Sequence, residues 1–351
     1  MLLRGANIRG TAMSLTTLIH QLPKAELHLH IEGTLTPELM WCLADKHGIT
    51  LPYKNIEEIR QAYLFEDLQS FLDLYYAGAD VLRDEDDFFE LMWAYLCRCN
   101  EQNIVHTEVM FDPQTHLHRG IEFGVFMSGF TRAIDKAKDE FGISVYLILS
   151  FLRHLPESDA METLHIAQPY LDKVHAFGLD SSELGHPPSK FERVFTRVRE
   201  LGFKIVAHAG EEGPPSYIWE AIELLKVDRI DHGVRCQEDQ ALLDHLKEHQ
   251  IPLTVCPLSN LKLCVVSDMK QHNIKWLLEQ GLRVTVNSDD PTYFGGFLNE
   301  NYQAIVEALD ISAEQLKQLV VNSIVSSFLP QEDQTRIITL IEKIYQAYAI
   351  E

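Results

Sequence analysis

The feature that most constrains this chain is a regular alternation of short, apolar β-rich runs with segments of helical periodicity. Eight such runs are present: Ala25–Ile31, Ile104–Phe111, Ser144–Phe151, Val174–Asp180, Lys204–His208, Arg229–His232, Pro252–Cys256 and Arg283–Asn287. Strands that alternate with helices form parallel sheets, and eight parallel strands are the number that closes a barrel. The pattern therefore predicts an α/β fold, a (β/α)8 TIM barrel.

Helical spacing between the later strands supports this order of elements. The segments concerned are Lys190–Leu201, Ser216–Leu225, Glu238–His249 and Asp268–Gln280. Thr36 followed by Pro37 is typical of a helix start, with the threonine as cap and the proline at the first helical position. Asn299 is expected to cap the helix that follows the eighth strand.

The domain organisation is predicted to be simple. Residues 1–16 are expected to form a flexible N-terminal extension, and residues 17–351 a single barrel domain. The region from about 50 to 100 lacks a strand pattern and is rich in helix formers, which indicates a helical insertion after the first strand that is suitable as a lid. The tail Ser312–Glu351 indicates extra C-terminal helices.

Charge and composition restrict the partners. The chain has 52 acidic and 30 basic residues and a formal net charge of −22, so its surface repels a polyphosphate backbone and nucleic acid is not an expected partner. Six cysteines in 351 residues do not indicate a disulfide framework and favour a reducing compartment. No apolar stretch approaches the roughly 20 residues that span a bilayer, and the N-terminus lacks the apolar core of a secretory signal. A cytoplasmic protein without a membrane partner is expected, with its oligomeric state open.

The first predicted strand carries a pair of histidines. Alternation along Glu26–Ile31 directs the leucines and the isoleucine to one face, and Glu26, His28 and His30 to the other. In a barrel the apolar face meets the helices, so both histidines point into the lumen. Unpaired polar groups there are costly, and a shared metal ion removes that cost. The pattern favours a metal site, with two hydrogen-bonded core histidines as the alternative.

Three later strands also end in polar residues. The fifth ends in His208-Ala209-Gly210-Glu211, the sixth in Asp231-His232-Gly233 and the eighth in Ser288-Asp289-Asp290-Pro291. TIM barrels keep their active sites at the C-terminal ends of the strands. These motifs and the histidine pair are therefore expected to meet in one site.

Two other histidine motifs fit a metal site less well. His116-Leu117-His118 repeats the spacing of the first pair but follows Asp112-Pro113, so we expect it in a loop. His106-Thr107-Glu108 is similar to half of the signature of the cytidine-type zinc deaminases, which also needs Pro-Cys-x-x-Cys. That second half is absent from the chain, so the cytidine-deaminase fold is excluded.

Taken together, the motifs carry a specific resemblance. From about Pro23 onward the chain resembles the adenosine/adenine deaminase branch of the metal-dependent hydrolases. The matching motifs are Glu26-Leu27-His28-Leu29-His30, His208-Ala209-Gly210-Glu211, Asp231-His232-Gly233 and Ser288-Asp289-Asp290-Pro291. The resemblance implies a barrel enzyme that removes the amino group of a small purine.

The resemblance also implies one zinc ion per subunit, with water or substrate completing its shell. Its ligands in this chain would be His28, His30, His208 and Asp289. Imidazole and carboxylate ligands suit zinc by type as well. Related hydrolases with two metals use a bridging lysine near the third or fourth strand end. Since Ser144–Arg153 and Val174–Glu183 contain no lysine, a single metal is expected.

The catalytic roles follow from the same resemblance. Hydroxide is expected to attack C6 of the purine and expel ammonia. Glu211 would protonate N1, and His232 would orient the hydroxide and stabilise its charge. Asp289 would be both metal ligand and acceptor of the water's proton. Asp290 would hydrogen-bond N7, with capping of the following helix as its alternative role.

Two departures from the adenosine deaminases favour free adenine as the substrate. Those enzymes have an aspartate just after the histidine pair, which reaches the ribose 5′-hydroxyl. This chain has Glu32, whose extra methylene would push a carboxylate into the ribose space. The fourth strand ends in Ser181-Ser182-Glu183 rather than a Gly-Asp-Glu turn. In the similar adenine-specific members, Ser182 and Glu183 would lie beside the N3/N9 edge, with ordinary loop drift as the alternative.

The resemblance thus favours hydrolysis of adenine to hypoxanthine and ammonia, a reaction of purine salvage. Adenosine or an N6-substituted adenine is the alternative substrate. Two other classes stay open: a different amidohydrolase that uses the same zinc, and a catalytically silent purine-binding protein.

Overall fold

A computed structural model describes residues 14–64, 71, 74–75 and 78–350. The N-terminal extension expected over residues 1–16 therefore lies outside the described residues, apart from its last three positions. A helix begins at Leu15, inside that stretch, and its first turn is capped by the Ser14 hydroxyl, which accepts a hydrogen bond from the backbone N–H of Thr17.

Within the described residues, eight parallel strands form one sheet in the order β1 to β8. They are β1 Lys24–Glu26, β2 Ile104–Phe111, β3 Ser144–Leu152, β4 Ala176–Asp180, β5 Lys204–Ala209, β6 Arg229–His232, β7 Leu253–Val255 and β8 Val284–Val286. All eight predicted strands are confirmed, as is the (β/α)8 fold.

The first strand is the shortest relative to its prediction. Regular pairing stops at Glu26, and the next residues contact both neighbours through isolated bridges, Leu29 with Asp289 and His30 with Met110. The Asp289 N–H donates to the His28 carbonyl at 3.1 Å, and the His30 N–H donates to the Asp289 carbonyl at 3.0 Å. These bonds close the barrel between β8 and β1.

Helices surround the barrel. The α-helices of the described residues are Leu15–Gln21, Pro37–His47, Ile56–Ala62, Glu85–Glu101, Pro113–Leu117, Phe123–Phe141, Glu157–Ala167, Glu192–Glu200, Pro215–Glu220, Gln240–His249, Pro257–Lys262, Ile274–Glu279, Pro291–Phe294, Leu298–Leu309, Ala313–Val325 and Gln331–Ile350. Shorter helical turns are Glu32–Thr34, Gln168–Lys173, Pro188–Phe191, Ala221–Leu225, Val234–Glu238 and Met269–Gln271. Helices Ile56–Ala62 and Glu85–Glu101 belong to the predicted insertion, and the last two are the predicted C-terminal helices. No helix among the described residues has the length and apolar character needed to cross a membrane.

One of the two predicted helix caps is confirmed. The Thr36 hydroxyl accepts from the Leu39 N–H, with Pro37 at the first helical position. The prediction for Asn299 is wrong, because that helix begins at Leu298. The Asn299 N–H instead donates to the side-chain oxygen of Gln102 at 2.9 Å, so a long-range contact replaces the local cap.

The barrel lumen is packed and supports the site from below. Leu27, Leu29 and Ile31 lie in the large core that includes the surrounding helices, as the alternation predicts. A smaller buried cluster of inward-facing strand residues consists of Met110, Ile148, Ala176 and Val206. A barrel interior filled in this way leaves its C-terminal face as the place where polar side chains can meet a ligand.

Candidate active site

The two histidines of the first strand meet the histidine that ends β5. His28 Nε2 lies 3.1 Å from His208 Nε2, and His30 Nε2 lies 3.3 Å from the same atom. Asp289 completes the group, because its Oδ1 lies 3.4 Å from His28 Nε2 and 3.5 Å from His30 Nε2. All four side chains are buried. The structure therefore brings together the four side chains that the sequence proposes as metal ligands.

The spacing of these four atoms allows them to share one cation. At metal–ligand bonds near 2.0–2.1 Å, the ligands of a tetrahedral zinc ion lie about 3.3–3.4 Å apart. Four of the six separations among these atoms are 3.1–3.5 Å, which brackets that edge length, and the ligand atoms all lie within 4.8 Å of one another. A shared cation would also accept the lone pairs of all three imidazole nitrogens at once, and so would satisfy these buried polar atoms. The residues fit a single divalent cation.

Carboxylates behind the histidines fix their orientation. Asp231 is buried and lies between two of them, with Oδ2 3.6 Å from His208 Nδ1 and Oδ1 3.9 Å from His28 Nδ1. Its Oδ1 also accepts a 2.8 Å hydrogen bond from the Thr254 hydroxyl, which itself lies 3.0 Å from His28 Nδ1. Carboxylates in this position set the ring orientation of ligating histidines and raise their basicity. Asp231 directly precedes His232 at the end of a buried strand, but the sequence alone does not indicate its role behind the histidines.

We expect Asp231→Asn to weaken metal affinity by about 10- to 100-fold, the cost typical of losing such a partner. The measurement is competition for the metal against a chelator of known affinity. Asp228→Asn is the matched control. Asp228 directly precedes β6, and its carboxylate accepts a hydrogen bond from the Lys204 ammonium group at 2.6 Å. Equal affinities for the two variants would contradict the role of Asp231.

Glu211 and His232 stand next to the proposed ligands. Glu211 Oε2 lies 3.4 Å from His232 Nε2, and that nitrogen lies 3.7 Å from Asp289 Oδ2. Burial, followed by the charges of Asp289 and Glu183, raises the pKa of Glu211 well above its usual range. Burial lowers the pKa of His232 to about 3. Both shifts favour the uncharged forms, a protonated carboxyl group beside a neutral imidazole.

Two further side chains that the sequence did not indicate, Asn260 and His272, lie next to this pair. The Asn260 side-chain amide lies 3.5 Å from Glu211 Oε1 and 3.4 Å from His232 Nδ1. Nε2 of buried His272 lies 3.2 Å from the side-chain oxygen Oδ1 of Asn260. The signal available in the sequence was Asn260 at the end of Cys256-Pro257-Leu258-Ser259-Asn260, a run similar to adenine-specific members. Nothing local in that run indicates that Asn260 faces the site.

The loop after β8 holds its two aspartates in a constrained backbone. Asp289 has φ of 64°, in the left-handed region that non-glycine residues rarely adopt. Buried Glu26 fixes the preceding residue by accepting from the Ser288 N–H at 3.1 Å and its hydroxyl at 2.5 Å. Glu26, which shares the inward face with the histidines, thus supports the loop that carries Asp289.

Asp290 faces the cavity rather than its own helix. The helix Pro291–Phe294 starts without a side-chain hydrogen bond from Asp290. Asp290 Oδ1 is buried and has no hydrogen-bond partner among the described residues. A Cβ atom at Gly33 would overlap the Asp290 side chain, so the glycine is needed for this approach. Burial and the charge of Asp289 raise the pKa of Asp290 well above its usual range.

A cavity opens above these groups. Its wall includes His30, His208, Glu211, His232, Asp289, Asp290, Ser182, Asp112 and Asp180, and the apolar side chains Phe71, Leu152, Leu263 and Phe294. Ser182 lines this cavity, and its contact with a substrate stays a prediction. The insertion contributes Phe71 and Tyr75, and the Tyr75 hydroxyl donates to Asp112 at 3.2 Å. Whether the insertion acts as a lid stays a prediction.

Two predicted substrate contacts take other positions. The Glu32 carboxylate turns away from the cavity and contacts buried His116 at 2.8 Å and the Asp112 N–H at 3.2 Å. The Glu183 carboxylate accepts backbone N–H groups of the loop that follows β5. Neither side chain is among the residues that line the cavity, and their contacts with a substrate stay predictions. In both cases burial with specific hydrogen-bond donors fixes the carboxylate elsewhere.

The less favoured histidine motifs take structural positions. His116 is part of helix Pro113–Leu117 rather than the expected loop. Buried His106 contacts Glu108 at 3.1 Å, and the other oxygen of that carboxylate lies 2.8 Å from buried Arg229. Neither His116 nor His106 belongs to any group of potential metal ligands among the described residues.

Known proteins with similar sequences and structures are deaminases. A family model described as adenosine deaminase matches residues 23–344. The chain is similar to the adenine deaminase of Acinetobacter baylyi, with 59% identity over 332 residues that cover 95% of this chain and 100% of that protein. It is 60% identical over 319 residues to the adenine deaminase of Wolinella succinogenes, covering 91% and 96%. The crystal structure of adenine deaminase from Arthrobacter aurescens superposes with a TM-score of 0.90 at 46% identity, covering 92% of this chain and 98% of that one.

Proposed function

Because the chain belongs to the adenosine deaminase family, we propose that it hydrolyses free adenine to hypoxanthine and ammonia. The observation that carries the proposal is the convergence of three imidazoles and the Asp289 carboxylate beside Glu211. Near-full-length identity of 59–60% to proteins named adenine deaminases supports adenine as the substrate.

The proposed cofactor is one zinc ion per subunit. Its ligands would be His28, His30, His208 and Asp289, whose donor types and spacing suit zinc. When bound, the cation supplies the Lewis acidity that makes water a nucleophile near neutral pH. Outer carboxylates Asp231 and Asp180 would keep the ligating rings in place, with Asp180 Oδ2 3.4 Å from His30 Nδ1.

Glu211 is proposed as the proton donor. Attack at C6 pushes electron density onto N1 of the purine, and a proton at N1 stabilises it. Burial keeps Glu211 protonated above the usual range of a glutamate, so the donor form is available. The Asn260 amide and the His232 ring limit where its carboxyl group can lie.

His232 and Asp289 are proposed to act on the attacking water. The neutral His232 ring would hydrogen-bond the attacking water, and Asp289 Oδ2 would take one of that water's protons. The water oxygen bonds to C6 while N1 takes the proton of Glu211. The bond from C6 to the amino nitrogen then breaks, and ammonia leaves with the proton held by Asp289. The proton of the new C6 hydroxyl passes to the Glu211 carboxylate, which leaves a C6 carbonyl and restores the acid. Atoms and charges balance as adenine plus water giving hypoxanthine plus ammonia.

Asp290 and Ser182 are proposed to orient the purine. Asp290 presents an oxygen without a partner among the described residues, and its raised pKa lets it donate a hydrogen bond to N7. Ser182 lines the same cavity and is proposed to lie near the N3/N9 edge. Glu32 would act only indirectly, through the carboxylate contacts that place His116 and the Asp112 backbone.

The substrate proposal predicts a marked preference for the free base. We expect kcat/KM for adenine to exceed that for adenosine by at least about 100-fold. The relatives with 59–60% identity are named adenine deaminases, and a ribose on N9 would have to displace the side chains proposed to lie at the N3/N9 edge. The measurement compares hypoxanthine and inosine formation at equal concentrations, with N6-methyladenine as a third substrate. Equal or faster turnover of adenosine or N6-methyladenine would replace adenine by that substrate.

Two other classes of protein, a silent purine-binding protein and a different amidohydrolase, predict different results. A silent purine-binding protein would release no ammonia from any of the three compounds. A different amidohydrolase would bind a purine hydrated at C6 no better than hypoxanthine, whereas a deaminase matches that transition state and binds it far more tightly.

We also propose a cytoplasmic location and a small-molecule partner only. All six cysteines are free, and the thiols of Cys42 and Cys264 are exposed, which fits a reducing compartment. The net charge of −22 disfavours nucleic acid.

A further inference from the structure

The turn that carries Glu211 is held by one carboxylate. Glu183 Oε1 accepts from the Gly210 N–H at 2.6 Å, and Oε2 accepts from the N–H groups of Glu211, Glu212 and Gly213 at 3.1, 2.9 and 2.8 Å. Four successive backbone donors therefore point at one side chain. Successive N–H groups of this kind form an anion-binding concavity, here filled by a residue of the chain itself.

The position of Glu183 is closely constrained. Its side chain is buried, and a Cβ atom at Gly213 would overlap its carboxylate. Arg235 supports the turn from the carbonyl side, because its guanidinium donates to the Glu212 carbonyl and its N–H donates to the Gly210 carbonyl at 2.9 Å. The backbone of residues 210–213 is thus fixed by an acid on its N–H side and by an arginine on its carbonyl side.

We propose that Glu183 is a positioning residue: it holds the 210–213 backbone so that the carboxyl group of Glu211 lies within reach of N1 of the substrate. This inference rests on the proposed role of Glu211 as proton donor. Glu183 itself does not line the cavity, so it acts through Glu211 and not on the purine. A proton donor displaced by about 1 Å costs roughly 100-fold in rate.

The chemistry of the acceptor decides which substitution is informative. A glutamine has the shape of Glu183 but only one acceptor oxygen, and its amide nitrogen would face donors. Glu183→Gln should therefore loosen the turn without opening a cavity. We expect kcat for adenine to fall by about 100-fold, while KM changes less than about threefold and bound zinc is unchanged.

The decisive measurement is a double-mutant cycle with Glu211→Gln. If Glu183 acts through Glu211, Glu183→Gln should lower kcat by less than about threefold once Glu211 is already glutamine. A general loss of structure or of metal would instead lower kcat by the same factor in both backgrounds, and that result would overturn the inference. An unchanged kcat for the single variant would overturn it as well.

A second variant tests the same contact from the other side. Gly213→Ala places a methyl group against the Glu183 carboxylate, and should reproduce both the loss of kcat and its disappearance in the Glu211→Gln background. Glu157→Gln is the matched control. Glu157 Oε1 also accepts two backbone N–H groups, of Arg193 at 2.7 Å and Val194 at 3.0 Å, but away from the site.

We expect the control variant to keep kcat within about twofold of the wild type. Activity of the wild-type protein distinguishes failure of the proposed function from failure of the positioning role. If it fails to deaminate adenine, the proposed function fails. If it does so and Glu183→Gln is equally active, only the positioning role fails.

Discussion

Replacing Glu211 by glutamine is expected to lower kcat for adenine by about 100- to 10,000-fold, the range that general acid–base groups contribute. The glutamine keeps the shape of the side chain and its contact with the Asn260 amide, but it cannot deliver a carboxylic proton to N1. Glu211 is not among the proposed ligands, so the variant should retain its full zinc content. The measurement is initial-rate formation of hypoxanthine, with metal analysis of the same sample.

The control for this variant is again Glu157→Gln, a glutamate-to-glutamine change outside the cavity. Near wild-type turnover in Glu211→Gln would remove Glu211 from the role of proton donor. A loss of zinc that parallels the loss of rate would instead make it a support of the metal site. Only a low rate at full zinc content agrees with the mechanism.

Much of the site was predictable because strand geometry is regular. Alternation with a period of two sends His28 and His30 to the same face, and this holds although regular pairing of the first strand stops at Glu26. The parallel order of the strands then brings His208 and Asp289 to the same end of the barrel. Sequence period and topology indicated that these residues meet in one site, and the family resemblance implied that these four would be the metal ligands.

Side chains in the connecting loops were not predictable in the same way. Glu32 and Glu183 lie in irregular segments, where no periodicity fixes the direction of a side chain. Their carboxylates follow the nearest buried donors, His116 for one and the 210–213 backbone for the other. Those donors come from distant stretches of the chain, so only the folded structure shows which donor each acid meets. The resemblance placed Glu183 beside the purine edge, and that contact stays a prediction.

The metal ligands were predicted from the sequence motifs of the family. The residues that contact those ligands from behind are evident only in the folded structure. Asp180 and Asp231 stand behind the histidines, and a carboxylate at a strand end is too common to indicate that role from sequence. The same holds for Asn260, which reaches Glu211 and His232 from the helix after β7. Such residues are identified by what they contact, and their contacts are with residues distant in the sequence.

Removing the metal is expected to abolish turnover, by at least about 1,000-fold. A bound cation supplies several kcal/mol of transition-state stabilisation, and each 1.36 kcal/mol corresponds to about tenfold in rate. The fold itself should survive, because the barrel is stabilised by an apolar core that includes Leu27, Leu29 and Val284. Chelator-treated protein should therefore keep its circular dichroism spectrum while it loses activity, and stoichiometric Zn²⁺ should restore the rate.

Asp289→Ala provides the genetic counterpart of that experiment. It removes the carboxylate that lies 3.4 and 3.5 Å from the histidines of the first strand and 3.7 Å from His232, so both a ligand and the proposed proton acceptor are lost. Added Zn²⁺ should restore the chelated wild type but not this variant. Rescue of the variant by excess zinc would leave Asp289 as a ligand only, and full activity of the metal-free wild type would refute the metal-dependent mechanism itself. Because the two perturbations differ in what zinc can repair, together they separate the roles of ligand and proton acceptor that the geometry assigns to one side chain.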